Sequence, residues 1–353
     1  MLRITTLLAL LSLPLLSSAL EFKRTENIAA MTIGDRAKVV PQTLLFPESQ
    51  LKYGMFQNYL HYWIDRPLFF DRATRYPEKH FAYATQASTL IDAAIIKKYE
   101  FDGIGSLSIG QGQMYRDTDK YLREAGVTGL LEFPQLAFGD GNMVKVNNAD
   151  PFLKEFRPML QIAASSPLTA RVNGKILLAS YNAGHAPREK YEQIINALKK
   201  EFGDTFLLMG GLPVTHGDVA TFHKTGTLPP ERMAYYRNKL KEQLDLFAGV
   251  QVGVTTEIRD EKGDYMTVPD TGLFLKCLLP LLQETFREPQ YRNKLLGISL
   301  LHGYINHFTG VSHGEFGTGR LRASLDAALL ANPDYILFFE WNEVNENTCF
   351  QPT

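Results

Sequence analysis

The sequence predicts a (β/α)8 barrel, an α/β fold in which eight parallel strands close into a ring. Apolar, β-rich runs alternate strictly with amphipathic runs along the mature chain, which favours a parallel sheet. The predicted strands are Tyr53 to Leu60, Gly103 to Ile109, Val127 to Phe133, Lys175 to Tyr181, Thr205 to Met209, Gly249 to Thr255, Leu296 to Leu301 and Tyr335 to Trp341. The predicted helices are Ala87 to Tyr99, Asp117 to Ala125, Pro151 to Ala164, Arg188 to Phe202, Glu231 to Leu246, Thr271 to Phe286 and Leu321 to Ala331.

The ends of these segments carry the expected signals. Pro187 and Pro230 stand at helix starts, where a missing N–H costs nothing. Gly126 and Gly203 follow helix ends, and the Asn-Pro-Asp sequence at 332–334 stops the last helix before the final strand. Because the chain stops soon after that strand, the eighth helix is expected to be missing or replaced, or the chain to be a truncated form of a longer one.

The amino terminus predicts export. Residues 7–16 form an apolar core that ends in small residues, so residues 1–19 read as a secretory signal peptide cleaved near Ala19. No later apolar segment reaches the length of a bilayer span. We therefore expect a secreted or periplasmic protein with an irregular N-terminal arm at 20–49 and one catalytic barrel at 50–353.

Composition excludes several classes of function. The chain has 353 residues, 45% hydrophobic and 21% charged, and its formal net charge of -1 gives no electrostatic basis for binding nucleic acid. Two cysteines, Cys277 and Cys349, make neither a disulfide framework nor a zinc site. Cys277 lies in an apolar helical run and is predicted to be a core residue.

Barrels of this kind bind substrate at the carboxyl ends of their strands. The candidate side chains there are Asn58 and His61, Ser108 and Gln111, Glu132 and Gln135, Tyr181, Asn182 and His185, Thr255 to Glu257, His302 to Tyr304, and Asn342 to Glu346. Amides, imidazoles, carboxylates and aromatic rings can bind sugar hydroxyls and stack on sugar faces. This mixture indicates a carbohydrate site.

The last strand ends in a cluster of glutamates. Glu343 and Glu346 are the candidate catalytic pair, since their spacing in a turn could give the roughly 5–9.5 Å separation that glycoside hydrolysis uses. Glu340 lies within the strand and shares a face with Ile336 and Phe338 by the period of two. If that face is the barrel interior, Glu340 is buried near the top and needs a basic partner.

Other readings of this cluster stay open. Strand-end glutamates and asparagines also cap loops or form ion pairs, and clustered oxygen ligands also suit a divalent cation. The spacing matches no EF-hand loop, and His185, His302 and His313 lack metal-ligand spacing, so we expect no metal. A glycan-binding barrel without catalysis and a structural or partner-binding exported protein are the remaining alternatives.

Residues 341–348, Trp-Asn-Glu-Val-Asn-Glu-Asn-Thr, resemble the Asn-Glu-Trp-x-Glu-x-Thr strand-end motif of glycoside hydrolase family 99, the endo-acting α-mannosidases and α-mannanases. The related family 71 of α-1,3-glucanases has a similar acidic pair. Residues 171–175 resemble the turn of these families into a central strand, His302-Gly303-Tyr304 resembles their Pro-Gly-Tyr, and residues 322–334 resemble the helix leading into their catalytic strand.

The resemblance implies a two-carboxylate glycosidase acting on an α-linked oligo- or polysaccharide. Glu343 would assist through the substrate's 2-hydroxyl, and Glu346 would act as general acid/base. Val344 stands where the motif has an aromatic residue, so the sugar is not specified. The predicted substrate-binding residues are Asn342, Tyr304, His302, Tyr181, Asn58 and Glu340. Neither an organic cofactor nor a protein partner is implied.

Overall fold

The structure is a computed structural model, and its description covers ten segments of the chain. These are residues 38–43, 86–98, 101–108, 113–138, 149–181, 183–254, 271–301, 304–306, 311–313 and 319–339. The signal peptide predicted at residues 1–19 and the residues after Phe339, where an eighth helix would follow, lie outside these segments.

The described elements alternate between strand and helix, as the sequence predicts. The strands are β1 Lys38–Thr43, β2 Gly103–Ser108, β3 Leu131–Ala137, β4 Arg171–Val172, β5 Lys175–Tyr181, β6 Phe206–Gly211, β7 Gly249–Gly253, β8 Leu295–Leu301, β9 Tyr304–Asn306, β10 Val311–His313 and β11 Tyr335–Phe339. The α-helices are α1 Gln86–Lys98, α2 Gln113–Glu124, α3 Ala149–Ser165, α4 Arg188–Phe202, α5 His216–Thr225, α6 Pro230–Leu246, α7 Leu279–Phe286 and α8 Gly319–Leu330. A π-helical turn at Phe274–Leu278 precedes α7, and Cys277 within it is buried in the core as predicted.

Eight of the described strands form a closed parallel barrel. Each pairs with two neighbours, in the order β1, β2, β3, β5, β6, β7, β8, β11 and back to β1. The short strand β4 pairs antiparallel with β5 through a tight turn at Asn173 and Gly174, which both have positive φ. Strands β9 and β10 form a separate hairpin after β8. The (β/α)8 prediction is confirmed.

The first barrel strand corrects one part of the sequence analysis. Lys38–Thr43 falls within residues 20–49, which were predicted to be an irregular arm, yet it pairs with both β2 and β11. The barrel therefore begins by Lys38 rather than at residue 50. This strand has little apolar patterning of its own, and pairing with two distant segments completes its hydrogen bonding. The strand predicted at Tyr53 to Leu60 lies outside the described residues.

Side chains on the strands alternate between the interior and the helix layer. Phe133 of β3 and Tyr335 of β11 lie on strands that are not neighbours, but their ring centroids are 6.2 Å apart, so they meet across the barrel interior. Ile336 and Phe338 instead join the cluster formed with the outer helices. The face of β11 that carries Ile336 and Phe338 therefore packs against the helices and not into the barrel interior. Glu340, which was predicted to share that face, lies outside the described residues.

Tyr335 fills the barrel interior beneath the mouth. A Cβ atom at Gly297 of β8 would lie 2.2 Å from Cζ of Tyr335, so only glycine leaves room for this ring. The Tyr335 hydroxyl donates to Oε1 of Gln251 on β7, 2.8 Å away. Around this hydrogen bond the interior is packed by aromatic and aliphatic side chains, among them Phe133, Leu177 and Leu337.

Candidate functional site

An open depression of about 200 Å³ lies at the carboxyl ends of β5 to β8. Its polar lining comes from Tyr181 at the end of β5, His185 in the following loop, Gln251 on β7 and Ser299 on β8. This end of the barrel is where the fold positions substrate. The depression is therefore the candidate site.

Gln251 forms part of the floor of this depression. Its side-chain oxygen accepts from Tyr335, while its amide nitrogen has no hydrogen bond to any described residue. Two glycines, Gly211 and Gly253, line the depression beside it and add no side chains that would fill the space. A fixed amide that still has a donor available is suited to bind a hydroxyl or carbonyl oxygen of a ligand.

The loop that carries His185 is held in place by Tyr191 of α4. The N–H groups of Gly184 and Ala186, on either side of His185, donate to the Tyr191 hydroxyl at 2.7 and 3.2 Å. Gly184 has a φ of 99°, and a Cβ there would lie 2.6 Å from the carbonyl oxygen of Gly211. Glycine is therefore required where this loop crosses the end of β6. The hydrogen bonds to Tyr191 hold the backbone on both sides of His185 in place.

A charged cluster supports the wall of the depression from behind. Asp218 on α5 accepts from Nε and Nη2 of Arg232 and from the hydroxyl of Tyr236, both on α6. Burial raises the pKa of Asp218, but the bonds from Arg232, Thr215 and Tyr236 outweigh it and lower this pKa to about 2. This ion pair connects α5 to α6 directly after the loop at residues 212–214, which lines the depression.

The sequence analysis did not predict α5, although a local signal was present. Thr215 caps the helix by accepting from the N–H of Asp218, and Gly226 ends it in the left-handed conformation. The spacing of Thr215 and Asp218 is that of a capping box, which marks a helix start. The helix was missed because its apolar periodicity is weak.

The structure describes only part of the predicted site. Tyr181 is half-buried at the mouth, and its contact with substrate stays a prediction. Tyr304 begins β9, in the hairpin that follows β8. The other predicted site residues lie outside the described segments: Glu343, Glu346, Asn342, His302, Asn58 and Glu340.

Two strand-end candidates on β3 are located differently from the expectation. Glu132 is the second residue of β3, not its end, because the strand runs from Leu131 to Ala137 rather than from Val127 to Phe133. Its buried carboxyl lies near Asp119 of α2, away from the mouth. Gln135 shares the inner face with Phe133, is fully buried, and its amide atoms have no hydrogen-bond partner among the described residues.

Within the described segments, no group of three or more histidine, cysteine, aspartate or glutamate side chains is arranged to hold a metal ion. No helix in the described part of the chain has the length and apolarity needed to cross a bilayer.

The fold and its polar mouth define a (β/α)8-barrel protein with a candidate ligand site at the strand ends. No protein-family model matches the chain. No curated protein matches it either.

Solved structures with the same fold include the GH99 endo-alpha-mannosidase from Bacteroides thetaiotaomicron. In complex with bis-tris-propane, that enzyme is 14% identical over 79% of this chain and 78% of its own, with a TM-score of 0.53. A second structure of the enzyme gives 14% identity over 79% of this chain and 73% of its own, with a TM-score of 0.54. At this identity the likeness shows a shared fold.

Proposed function

We propose that the protein is a secreted glycoside hydrolase that cleaves an α-linked glycan with Glu343 and Glu346 as its two carboxylates. The observation that carries the proposal is the end of β11. Phe339 pairs with Leu301 of β8, so the last barrel strand ends at the mouth. In the sequence, Glu343 and Glu346 follow Phe339 by four and seven residues.

The depression offers the chemistry that a sugar needs. Tyr181, His185, Gln251 and Ser299 supply a phenol, an imidazole, an amide and a hydroxyl around one open space. These groups would bind sugar hydroxyls while the carboxylates act on the glycosidic bond. The likeness in fold to an endo-alpha-mannosidase is consistent with this use of the barrel.

In the proposed mechanism the two carboxylates have different protonation states. Glu346 would donate a proton to the departing glycosidic oxygen, and it needs a dry environment that raises its pKa. Glu343 would stay ionised and promote attack at the anomeric carbon through the neighbouring 2-hydroxyl of the sugar. Tyr181 and Gln251 would hold the sugar in position for both steps.

Glu346→Gln tests the proposal directly. We expect wild-type protein to release reducing ends from one member of a panel of α-mannans, α-glucans and host glycans. The variant should lose about 100- to 10,000-fold of that activity, the usual contribution of a general acid, while it still binds the glycan. Glu124→Gln is the matched control, since Glu124 is exposed at the end of α2 that faces away from the mouth.

Three results would contradict parts of the proposal. Wild-type turnover by Glu346→Gln would show that the roles are assigned wrongly. Glycan binding by the wild type without any release of reducing ends would favour a non-catalytic glycan-binding barrel. A protein that neither binds nor cleaves any glycan in the panel would remove the carbohydrate hypothesis altogether.

A further inference from the structure

Helix α8 begins at the mouth end of the barrel with an unusual charge distribution. It runs from Gly319 to Leu330 and leads into β11, so its amino terminus lies on the same side as the strand ends. The first turn contains Arg320 and Arg322 and no acidic residue. Helix amino termini carry partial positive charge and usually attract acidic groups. A buried arginine at this position is therefore unfavourable unless an acidic group or an anion lies near it.

Arg320 is buried, and no described residue provides a counter-ion for it. The residue is 2% exposed, and its Nε atom has no hydrogen-bond partner among the described residues. Burial lowers the pKa of its guanidinium, and within the described segments no carboxylate offsets this effect. A charged group removed from water and left unpaired is strongly destabilising, so buried arginines are normally matched by an acid or a bound anion.

Ser324 provides a second unpartnered group on the same face of the helix. It follows Arg320 by one turn, is fully buried, and its hydroxyl has no hydrogen-bond partner among the described residues. The same stripe continues through Ala328 and Ala331, which pack in the core next to the barrel. Helical side chains tilt toward the amino terminus, so Arg320 and Ser324 are both directed toward the first turn.

The N–H groups of that first turn add further donors. In an α-helix the first four N–H groups have no intrahelical acceptor, and they point out of the helix end. At α8 these groups include those of Gly319, Arg320 and Leu321. A guanidinium, a hydroxyl and several N–H groups thus lie on adjacent turns of one helix, and all of them can donate to oxygen.

We propose that Arg320, Ser324 and the first-turn N–H groups of α8 form an oxyanion-binding site. The site accepts a phosphate, sulfate or carboxylate group, which comes either from a free anion or from an anionic substituent on a glycan. Its position fits the fold, because α8 connects the seventh and eighth barrel strands, a region where barrels of this type commonly bind phosphate. The proposal does not depend on the catalytic roles of Glu343 and Glu346.

The first experiment titrates the purified protein with inorganic phosphate and with sulfate, at constant ionic strength set by chloride. Thermal unfolding should shift upward by a few degrees in the wild type, because a ligand that binds only the folded state stabilises it. In Arg320→Gln the apparent affinity for the anion should fall about 10- to 100-fold, the loss expected for a charge-assisted bidentate contact. Ser324→Ala should weaken binding by a smaller factor.

Arg322→Gln is the matched control, since Arg322 lies in the same turn but is exposed. Phosphate and sulfate also stabilise proteins by exclusion from the surface, and that effect would be equal in all variants. Arg320→Gln should fold at least as well as the wild type without anion, because it removes an unpaired buried charge. If it does not fold, Arg320→Lys keeps the charge, loses the bidentate geometry and should still show reduced affinity.

The second experiment distinguishes the two sources of the anion. Binding of a sulfated or carboxylated oligosaccharide is compared with that of its neutral parent, for the wild type and Arg320→Gln. A preference for the charged sugar that disappears in the variant assigns the site to a glycan substituent, and equal binding of both sugars assigns it to a free anion.

Identical anion responses in the wild type and Arg320→Gln would overturn the proposal, as would the absence of any anion response in the wild type. Loss of hydrolysis in Glu346→Gln with anion binding retained would show that the two sites are separate.

Discussion

Glu132 offers a sharp test of how the barrel packs against its helices. Its buried carboxyl adjoins that of Asp119 on α2, whose Oδ2 atom accepts from Nε of Arg123 at 2.7 Å. While both acids are ionised, neither can donate to the other, and both oxygens of Glu132 and Oδ1 of Asp119 are unpartnered among the described residues. Burial, and then the neighbouring Asp119, raise the pKa of Glu132 well above its ordinary value. A protonated Glu132 can donate to Asp119.

The sign of the pH effect follows from this raised pKa. The folded protein keeps a proton on Glu132 that the unfolded chain releases above about pH 4.3. The contribution of Glu132 to stability is complete below that pH and is lost as the pH rises toward the folded pKa, by about 1.4 kcal/mol per pH unit. Glu132→Gln introduces an amide of the same shape that can always donate to Asp119. We expect the variant to match the wild type near pH 4.5 and to exceed its stability near pH 7.5, with a difference that grows as the pH rises.

The measurement is urea unfolding of both proteins between about pH 4.5 and pH 7.5. Among the described residues, the titratable groups that face Glu132 are Asp119, Arg123 and Tyr115, all on α2. They remain in both proteins, so the difference between the two curves reports on Glu132. Glu124→Gln, an exposed change on the same helix, should follow the pH dependence of the wild type. Parallel curves for the wild type and Glu132→Gln would refute the shared proton.

Three further predictions concern the packing around the site. Asp218→Asn should lower the free energy of unfolding in urea by roughly 1–2 kcal/mol near neutral pH, after allowance for solvent at Arg232. The contribution of the Asp218 carboxylate is complete above about pH 4 and is lost as the pH falls through about 2, so the two proteins should become equally stable in acid. A difference that does not change with pH would contradict the assignment. Gly297→Ala should lower the free energy of unfolding by several kcal/mol, because the new methyl group would overlap the ring of Tyr335. A smaller residue at position 335 should restore part of this stability. An unchanged stability of Gly297→Ala would show that the ring does not lie against Gly297. Tyr335→Phe should cost about 1–3 kcal/mol by leaving Oε1 of Gln251 unpaired, and Gln251→Leu in the same background should reduce that cost in a double-mutant cycle.

Several elements could be predicted from local sequence alone. Strand β5 at Lys175–Tyr181 and helix α4 at Arg188–Phe202 have the predicted bounds. Both combine a clear apolar pattern with strong end signals, including Pro187 before the helix and Gly203 after it. Where the apolar periodicity and the end signals agree, interactions between residues close in sequence are enough to determine the bounds of the element.

Strand β3 shows where such reasoning fails. It starts at Leu131, four residues later than predicted, and continues through Pro134, which reads as a strand end in sequence. Pairing with β2 on one side and β5 on the other extends it to Ala137. Gly129 has a positive φ, which lies outside the strand region, so the strand cannot begin before it. Partners that are distant in sequence therefore set its limits.

The candidate site divides in the same way. The sequence identified the polar residue Tyr181 at a strand end and the glutamates beyond the last strand. Polar residues that directly follow an apolar strand can be recognised from the sequence alone. Gln251 and Ser299 were not identified as site residues, since each is a single polar residue within an apolar strand. Only the closed barrel brings them together in one depression.

By itself, the sequence determined the alternation of strands and helices and hence the fold class, because one-sided burial leaves a periodic pattern in every amphipathic element. The tertiary structure alone decided that Lys38–Thr43 closes the ring, that Tyr335 rather than Ile336 faces the interior, and that Arg320 is buried with no counter-ion among the described residues. These facts arise from pairing and packing between segments far apart in the chain, and no local pattern encodes them.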